Sequence, residues 1–349
     1  MKFGVKELAF DQSPPVVIVA EVGVNHNGDP RLAREMIDVA VHAQVDVVKF
    51  QAFNSEKEIS RFAPKTPYQE ESTSAQGNQL EMCKGLELDG EVLMEMQATC
   101  AERGVGFLCT AFDIDSVDTL VDRLGVEAMK VPSGEITNLP FLEYIGSRCR
   151  AVILSTGAST ISETGLAIEA LRKGGCEELV LLHCVTSYPA SVAEVNLRAM
   201  ETMRRAFGVP VGFSDHTQGI SVAIAAAALG AAVIEKHFTL DRSMQGPDHR
   251  ASVEPHDLTA MVHAIRDVEK ALGRPTKAPQ PGEMPNLALV RKGLVASRRL
   301  PAGTRLTEEM IQIKRPAYGI APADATKVVG MVLTADVEED APIRWEDLR

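Results

Sequence analysis

One pattern constrains this chain more than any other. Eight times between Val16 and Thr239, a short run rich in Val and Ile gives way to a segment whose apolar residues recur at helical spacing. The runs are Val16–Val22, Val45–Ala52, Gly106–Ala111, Ala128–Ser133, Ala151–Thr156, Leu179–Val185, Val209–Ser214 and Ala232–Thr239. The helical segments carry their own punctuation. Asp29-Pro30 supplies an N-cap and a first-turn proline, with Leu32, Met36, Ile37 and Val39-Ala40 as the apolar face. Gly90–Arg103 stops before Gly104, Ile161–Lys173 at Gly174-Gly175, Ile220–Leu229 at Gly230 and Pro255–Leu272 at Gly273, each a C-cap signal. Eight such units over about 270 residues predict an α/β fold, a (β/α)8 TIM barrel. The competing doubly wound sheet usually carries a glycine-rich phosphate loop after its first strand. Here that strand runs into Glu21-Val22-Gly23-Val24-Asn25-His26-Asn27-Gly28, which has no G-x-G-x-x-G.

At 349 residues the chain has room for a second domain. The composition changes after Gly273: Pro275, Pro279, Pro281 and Pro285 crowd into residues 274–286, which read as a semi-rigid linker between a barrel of 1–273 and a small domain of 287–349. That last segment holds short β-like runs and turns, among them Gly293–Ser297, Pro301-Ala302-Gly303 and Ile311–Lys314. So small a domain buries a marginal core, so docking onto the barrel is expected. The stretch Asn54–Asp89 breaks the alternation. It follows the second strand, on the catalytic face of a barrel, and its length and Tyr68 predict a lid or a binding element.

Composition removes several classes. Hydrophobic residues make up 45% and charged residues 24%, as in ordinary globular proteins, which excludes long disorder and fibrous repeats. No apolar run reaches the ~18–20 residues of a membrane helix. Residues 1–7 place charges where a signal peptide has its apolar core, so a cytoplasmic protein with no membrane partner is expected. With 36 basic against 48 acidic residues, a net charge of −12 and no basic run, nucleic acid is not an expected partner. An anion must then be held by a local gathering of lysines, hydroxyls and backbone N–H groups. The six cysteines, Cys83, Cys100, Cys109, Cys149, Cys176 and Cys184, form no C-x-x-C pair, and reduced, mostly buried thiols are expected.

Active-site residues of a barrel sit at the C-terminal ends of its strands. Read in order, these ends carry Glu21; Lys49 and Gln51; Thr110; Lys130, Ser133 and Glu135; Ser155 and Thr156; His183, Thr186 and Tyr188; Ser214, Asp215 and His216; and Glu235, Lys236 and His237. Polar groups from all eight strands at one mouth read as a site. His216 and His237 end adjacent strands, so their imidazoles can converge on a divalent metal; the bland alternative is two capped or core histidines. By ligand preference alone Zn, Fe or Ni suit such a pair as well as Mn. His183, flanked by Leu181-Leu182 and Cys184, reads as a satisfied core histidine, whereas His26 either contacts substrate or fixes its loop. Lys49, Lys130, Thr110, Ser133 and Ser214 can gather round a phosphate and a carboxylate. Each lysine has two other readings: an ion pair with Glu21, Glu135 or Glu235, or a desolvated Schiff-base nucleophile of an aldolase.

The ordered motifs Ala20–Gly28, Val48-Lys49-Phe50-Gln51, Lys130–Glu135, Leu154–Gly157, Leu182-His183-Cys184 with Tyr188-Pro189, Gly212–Thr217, Glu235–Thr239 and Gly246-Pro247-Asp248 span nearly the whole chain. With them the sequence resembles the sialic acid synthase family, whose members condense phosphoenolpyruvate with an N-acetylhexosamine. Lys314-Arg315-Pro316 resembles the signature of that family's C-terminal antifreeze-like (SAF, β-clip) domain. The resemblance implies metal ligation by His216 and His237, with Mn²⁺ the usual ion and Mg²⁺ or Co²⁺ as substitutes. It implies phosphoenolpyruvate contacts at Lys49, Thr110, Lys130, Ser133 and Ser214. Thr186 stands where some members have an asparagine phosphate contact. The amino sugar falls to Glu21, Gln51, Glu135, Tyr188, Asp248 and Arg315, the last lent across a homodimer whose C-terminal domains are exchanged. Glu21 or Glu135 is then the carboxylate that handles protons at C2. The implied product is N-acetylneuraminate or N,N′-diacetyllegionaminate, with pseudaminate as the alternative. On residues alone, a pyruvate aldolase and a carbohydrate- or ice-binding module remain the competing classes.

Overall fold

Each of the eight apolar runs overlaps one strand of a closed parallel barrel: β1 (Val17–Gly23), β2 (Val47–Ala52), β3 (Gly106–Ala111), β4 (Ala128–Val131), β5 (Ala151–Ser155), β6 (Glu178–Cys184), β7 (Val211–Asp215) and β8 (Val233–His237). The computed structural model describes residues 1–7, 9, 15–73 and 77–349. Neighbours in sequence are neighbours in the sheet, and β8 closes onto β1 with Val233 opposite Val17 and His237 opposite Glu21. Most strands differ from the predicted runs by one to three residues at an end. Val45, for example, is buried just outside the ladder, so an apolar run marks burial more faithfully than strand pairing.

The helices between strands follow their signals. Asp29 caps Pro30–His42 by accepting a hydrogen bond from the Arg31 N–H at 2.8 Å. Gly90–Arg103 ends at Gly104 in the left-handed region, φ +71°. Ile161–Gly174 opens with a Thr160–Glu163 capping box, and Pro255–Leu272 is the last helix of the barrel. Outward residues of the strands pack beneath these helices, Ile18, Phe50, Phe107, Leu154 and Phe213 among them. The long excursion after β2 is three short helices, Ser55–Glu58, Pro67–Ser72 and Gln79–Lys84. Residues 74–76 of it lie outside the described residues.

One element has no counterpart in the sequence reading. Lys2–Phe3 pairs antiparallel with Lys6–Glu7, and Met1 and Phe3 are buried against the lumen-facing residues Val17, Val47 and Val233 at the N-terminal end of the barrel. Two-residue strands are too short for any period to register.

The chain divides into two compact units, Met1–Gly273 and Arg274–Arg349. Within the second, the proline-rich stretch forms a 3-10 segment over Pro281–Asn286 and a short helix over Leu287–Val290. β9 (Gly293–Ala296) then pairs antiparallel with β10 (Ile311–Lys314). Leu294, Leu300, Leu306, Ile320, Leu333 and Ile343 form its core. All six cysteines are free thiols, and only Cys83 is not fully buried. Among the described residues no helix is long and apolar enough to cross a membrane.

Candidate active site

Alternation along each strand decides which side chains enter the barrel. Two residues before six of the inward polar groups stands an apolar one: Val19 before Glu21, Val47 before Lys49, Leu108 before Thr110, Ala128 before Lys130, Ile153 before Ser155 and Val233 before Glu235. These six join Phe3 and Met1 in one buried cluster. The lumen is thus an apolar floor with a polar layer above it. That layer lines a cavity of about 290 Å³ at the C-terminal mouth.

The cavity brings together Glu21, Lys49, Gln51, Thr110, Lys130, Ser133, Thr186, Tyr188, Ser214, His216, His237 and Asp248. Of the other residues expected from sequence, one is absent from the cavity lining and one belongs to the second unit. Glu135 lies in the 3-10 turn Ser133–Glu135 after β4, where the Asn138 side-chain amide donates to its Oε2 at 2.7 Å; it is half-buried and does not line the cavity. Arg315 belongs to the second unit, follows β10 and is exposed, with no carboxylate at ion-pair distance among the described residues. Glu235, read as a strand end and a possible ion-pair partner, and Ser155, read only as a strand end, line the cavity as well. The segment 54–89 adds Glu58, Ile59, Tyr68, Gln69, Gln79, Met82, Cys83 and Leu86, so it forms one wall of the cavity.

The two lysines differ in company. Lys49 Nζ lies 3.1 Å from Glu21 Oε2, 3.3 Å from Glu235 Oε2 and 3.1 Å from Thr110 Oγ1. Burial opposes its charge, but the two carboxylates prevail and hold its pKa above the ordinary lysine value. Lys130 Nζ donates to Ser155 Oγ at 2.7 Å and to the Val131 carbonyl at 3.0 Å, with no carboxylate at ion-pair distance among the described residues. Burial lowers its pKa to about 8, against the pull of Glu235. The carboxylates also divide. Burial raises Glu21 to about 7 despite Lys49 beside it, while Gln51 donates to its Oε1 at 2.8 Å. Burial pushes Glu235 up too, but Lys130, Lys49 and the Ser214 hydroxyl outweigh it and hold it at about 2. Two carboxylates whose environments part their pKa values mark an acid–base site.

The imidazoles converge, with ring centroids 5.5 Å apart. His216 Nδ1 is 2.7 Å from the Val185 carbonyl oxygen, which places the proton on that nitrogen and leaves a lone pair on Nε2. His237 Nδ1 is buried without a hydrogen-bond partner; its nearest acid, Asp248 Oδ2, is 3.6 Å away. Burial lowers His216 to about 4 and His237 well below its ordinary value, so both rings are neutral near pH 7. An orphaned ring nitrogen beside a second neutral imidazole of fixed tautomer fits a divalent cation. No group of three or more His, Cys, Asp or Glu side chains among the described residues is arranged to hold a metal. Tyr188 covers the pair, its ring 4.2 Å from that of His216 and 5.4 Å from that of Tyr68. Gly23, at φ +56°, leaves room in front of them: a Cβ there would come within 3.4 Å of Gln51, Glu21 and His237.

Not every polar strand end joins the site. Asp215 and Lys236 fall between inward residues, are absent from the cavity lining and pair with each other at 2.8 Å. His183 Nε2 bonds the Val195 carbonyl and is satisfied, but the residue is half-buried rather than part of the core. His26 Nδ1 accepts from the Gly28 N–H at 2.9 Å and so fixes its own loop.

Comparison with known proteins agrees with this geometry. The NeuB family matches residues 36–277, and the SAF domain matches residues 291–349. The N,N′-diacetyllegionaminic acid synthase of Campylobacter jejuni is 44% identical over 330 residues, 94% of this chain and 98% of that protein. The human N-acetylneuraminate-9-phosphate synthase is 36% identical, over 95% of this chain and 92% of its own. Among solved structures, the N-acetylneuraminic acid synthetase of Leptospira borgpetersenii in complex with citrate has a TM-score of 0.68 at 35% identity, covering 78% of this chain and 90% of that one. Matched over most of its length, and folded as the barrel its strand pattern predicts, this chain belongs to the NeuB family and carries a SAF domain after its barrel.

Proposed function

We propose that this chain condenses phosphoenolpyruvate with a 2,4-diacetamido-trideoxymannose, giving N,N′-diacetyllegionaminate and phosphate. The observation that carries the reaction is Lys130. A buried ammonium with no carboxylate at ion-pair distance is costly. Here it stands in the polar layer beside the Ser155 hydroxyl, with Ser133, Ser214 and Thr110 lining the same cavity. A trianionic enol phosphate repays that cost. The acceptor follows the relative 44% identical, an N,N′-diacetyllegionaminic acid synthase, over the N-acetylneuraminate-9-phosphate synthase at 36%.

In this reading Lys130 and the hydroxyls of Ser133, Ser214 and Thr110 hold the phosphate and carboxylate. Thr186 lies against Gly157, where a Cβ would come within 2.1 Å of its Oγ1, and closes that side of the cavity. His216 and His237 hold a divalent cation, Mn²⁺ first and Mg²⁺ or Co²⁺ as substitutes, which when bound acts as a Lewis acid on the aldehyde oxygen of the sugar. Gln51, Tyr188 and Asp248 position the sugar so that C3 of the enol phosphate meets the aldehyde carbon. As that C–C bond forms, positive charge develops at C2 and water adds there. Glu21, near half-protonated at neutral pH, takes the proton from this water. The C2–O bond to phosphate then breaks as the C2 hydroxyl gives up its proton and becomes the keto oxygen; of the two protons released at C2, one passes to the alkoxide left from the aldehyde and one to the departing phosphate. Phosphoenolpyruvate labelled with ¹⁸O in its C2–O–P bridge should therefore release labelled phosphate, as mass spectrometry of the product phosphate will show; label kept in the sugar acid overturns the sequence of steps.

The test of the whole reading is phosphate release with three acceptors: N-acetylmannosamine, 2,4-diacetamido-trideoxymannose and the pseudaminate precursor. The diacetamido mannose should give the highest kcat/KM. Preference for either other sugar reassigns the product, and no phosphate with any of them removes the synthase reading. The lowered pKa of Lys130 also suits a Schiff-base aldolase. Borohydride with pyruvate should leave the synthase unmodified, whereas a trapped adduct on Lys130 favours the aldolase.

The SAF domain enters through Arg315. Its guanidinium is a planar fork of donors, exposed and without an acidic neighbour in its own unit. We assign it to the acetamido sugar in the partner barrel of a homodimer. Arg315→Ala should raise the sugar KM by about tenfold or more, the loss of one charged hydrogen bond, and leave the phosphoenolpyruvate KM nearly unchanged. Mixed with a Glu21→Gln variant, it should regain part of the lost activity through hybrid dimers. No regain after verified subunit exchange shows that each chain completes its own site.

A further inference from the structure

The buried pair Asp215–Lys236 occupies a telling position. The two residues are cross-strand partners in the β7–β8 ladder, and their register is the last that joins these strands. Each is flanked by cavity residues: Ser214 and His216 on one strand, Glu235 and His237 on the other. Both side chains are fully buried and lie on the opposite side of the strands from the cavity.

The pair does more than join two strands. Lys236 Nζ donates to Asp215 Oδ2 at 2.8 Å and also to the Thr217 carbonyl at 2.5 Å. Asp215 Oδ1 accepts from the Thr217 N–H at 2.9 Å and from its hydroxyl at 2.8 Å. β7 ends at Asp215, so His216 stands beyond the ladder. Its backbone is bracketed between Asp215 and Thr217, both fastened to Lys236, whose chain neighbour is His237. Two imidazoles on separate strands thus receive one shared anchor.

We infer that Asp215, Lys236 and Thr217 are positioning residues that set the separation of His216 and His237 and so their joint affinity for a divalent cation. This rests on the two-histidine reading of the site given above. None of the three lines the cavity, so they act through the histidines rather than on substrate.

The experiment compares Mn²⁺ binding to the metal-free full chain by electron paramagnetic resonance, which counts free Mn²⁺, alongside thermal unfolding in chelator. Lys236→Met alone strands a buried carboxylate and is expected to lower the melting temperature. The double variant Asp215→Asn, Lys236→Met removes both charges while Asn keeps an acceptor for Thr217, so it should melt close to the parent. Thr217→Val removes a single hydroxyl and keeps the shape, which supplies a mild variant should the double one misfold. Expected is a rise in Mn²⁺ Kd of about 10–100-fold in the double variant, the range typical of groups that orient metal ligands, and a smaller rise in Thr217→Val. Unchanged Kd values in folded variants of a parent that binds Mn²⁺ tightly overturn the positioning role alone. A parent that leaves all Mn²⁺ free overturns the two-histidine reading itself, and the inference with it.

Discussion

Lys130→Met is expected to lower kcat/KM for phosphoenolpyruvate by about a hundredfold while leaving the barrel at least as stable as before. The activity estimate is the loss of a charge-assisted hydrogen bond in a dry site, about 1.5–3 kcal/mol, or roughly ten- to hundredfold in rate, taken at its upper end because Lys130 is 2% exposed. The stability estimate follows from its neighbours. Its hydrogen bonds go to a hydroxyl and a carbonyl, so methionine of similar length breaks no ion pair; Glu235 loses one cation that lowers its pKa but keeps Lys49 at 3.3 Å and the Ser214 hydroxyl. Lys49→Met should behave in the opposite way. It strips the cation from Glu21 and Glu235 together, a change of the kind that costs about 3–5 kcal/mol. Urea unfolding will separate the two variants. If Lys130→Met loses stability and spares phosphoenolpyruvate, the lysine is structural and the anion lies elsewhere.

A chelator should abolish turnover, and Mn²⁺ should restore it. Lewis-acid assistance at a carbonyl is worth several kcal/mol, so the metal-free chain should be slower by at least about a hundredfold. His216→Ala and His237→Ala should each resist rescue at Mn²⁺ concentrations that saturate the parent. A histidine variant that keeps the parental rate in excess chelator removes the pair from the reaction.

The fold was legible because each apolar run recurs with its helix and each helix carries a stop, as at Gly104, Gly175 and Gly273. The site was legible only to the level of strand ends. Ser214-Asp215-His216 and Glu235-Lys236-His237 are consecutive polar triplets, and composition does not say which members enter the lumen. Register does: the outer two of each triplet go in and the middle ones pair behind. The same parity separates Ser155 from Thr156 at the next polar strand end: Ser155 lines the cavity and Thr156 does not. Glu135 shows the reverse case, a strand-end residue that register does not place. It follows β4 in sequence, but the 3-10 turn at Ser133–Glu135 carries it off the strand axis and Asn138 holds it there.

The floor under the polar layer has a kinetic meaning. Met1 and Phe3 pack against the apolar lumen residues, so molecules reach the cavity through the C-terminal mouth. A vessel with one door fills from the bottom. On the proposed reaction, the anion that neutralises Lys130 has to arrive before a sugar held nearer Tyr188, and phosphate released at that depth has to wait for the sugar acid to leave. Turnover is then expected to be ordered rather than random, and inhibition by inorganic phosphate should be competitive against phosphoenolpyruvate and not against the sugar.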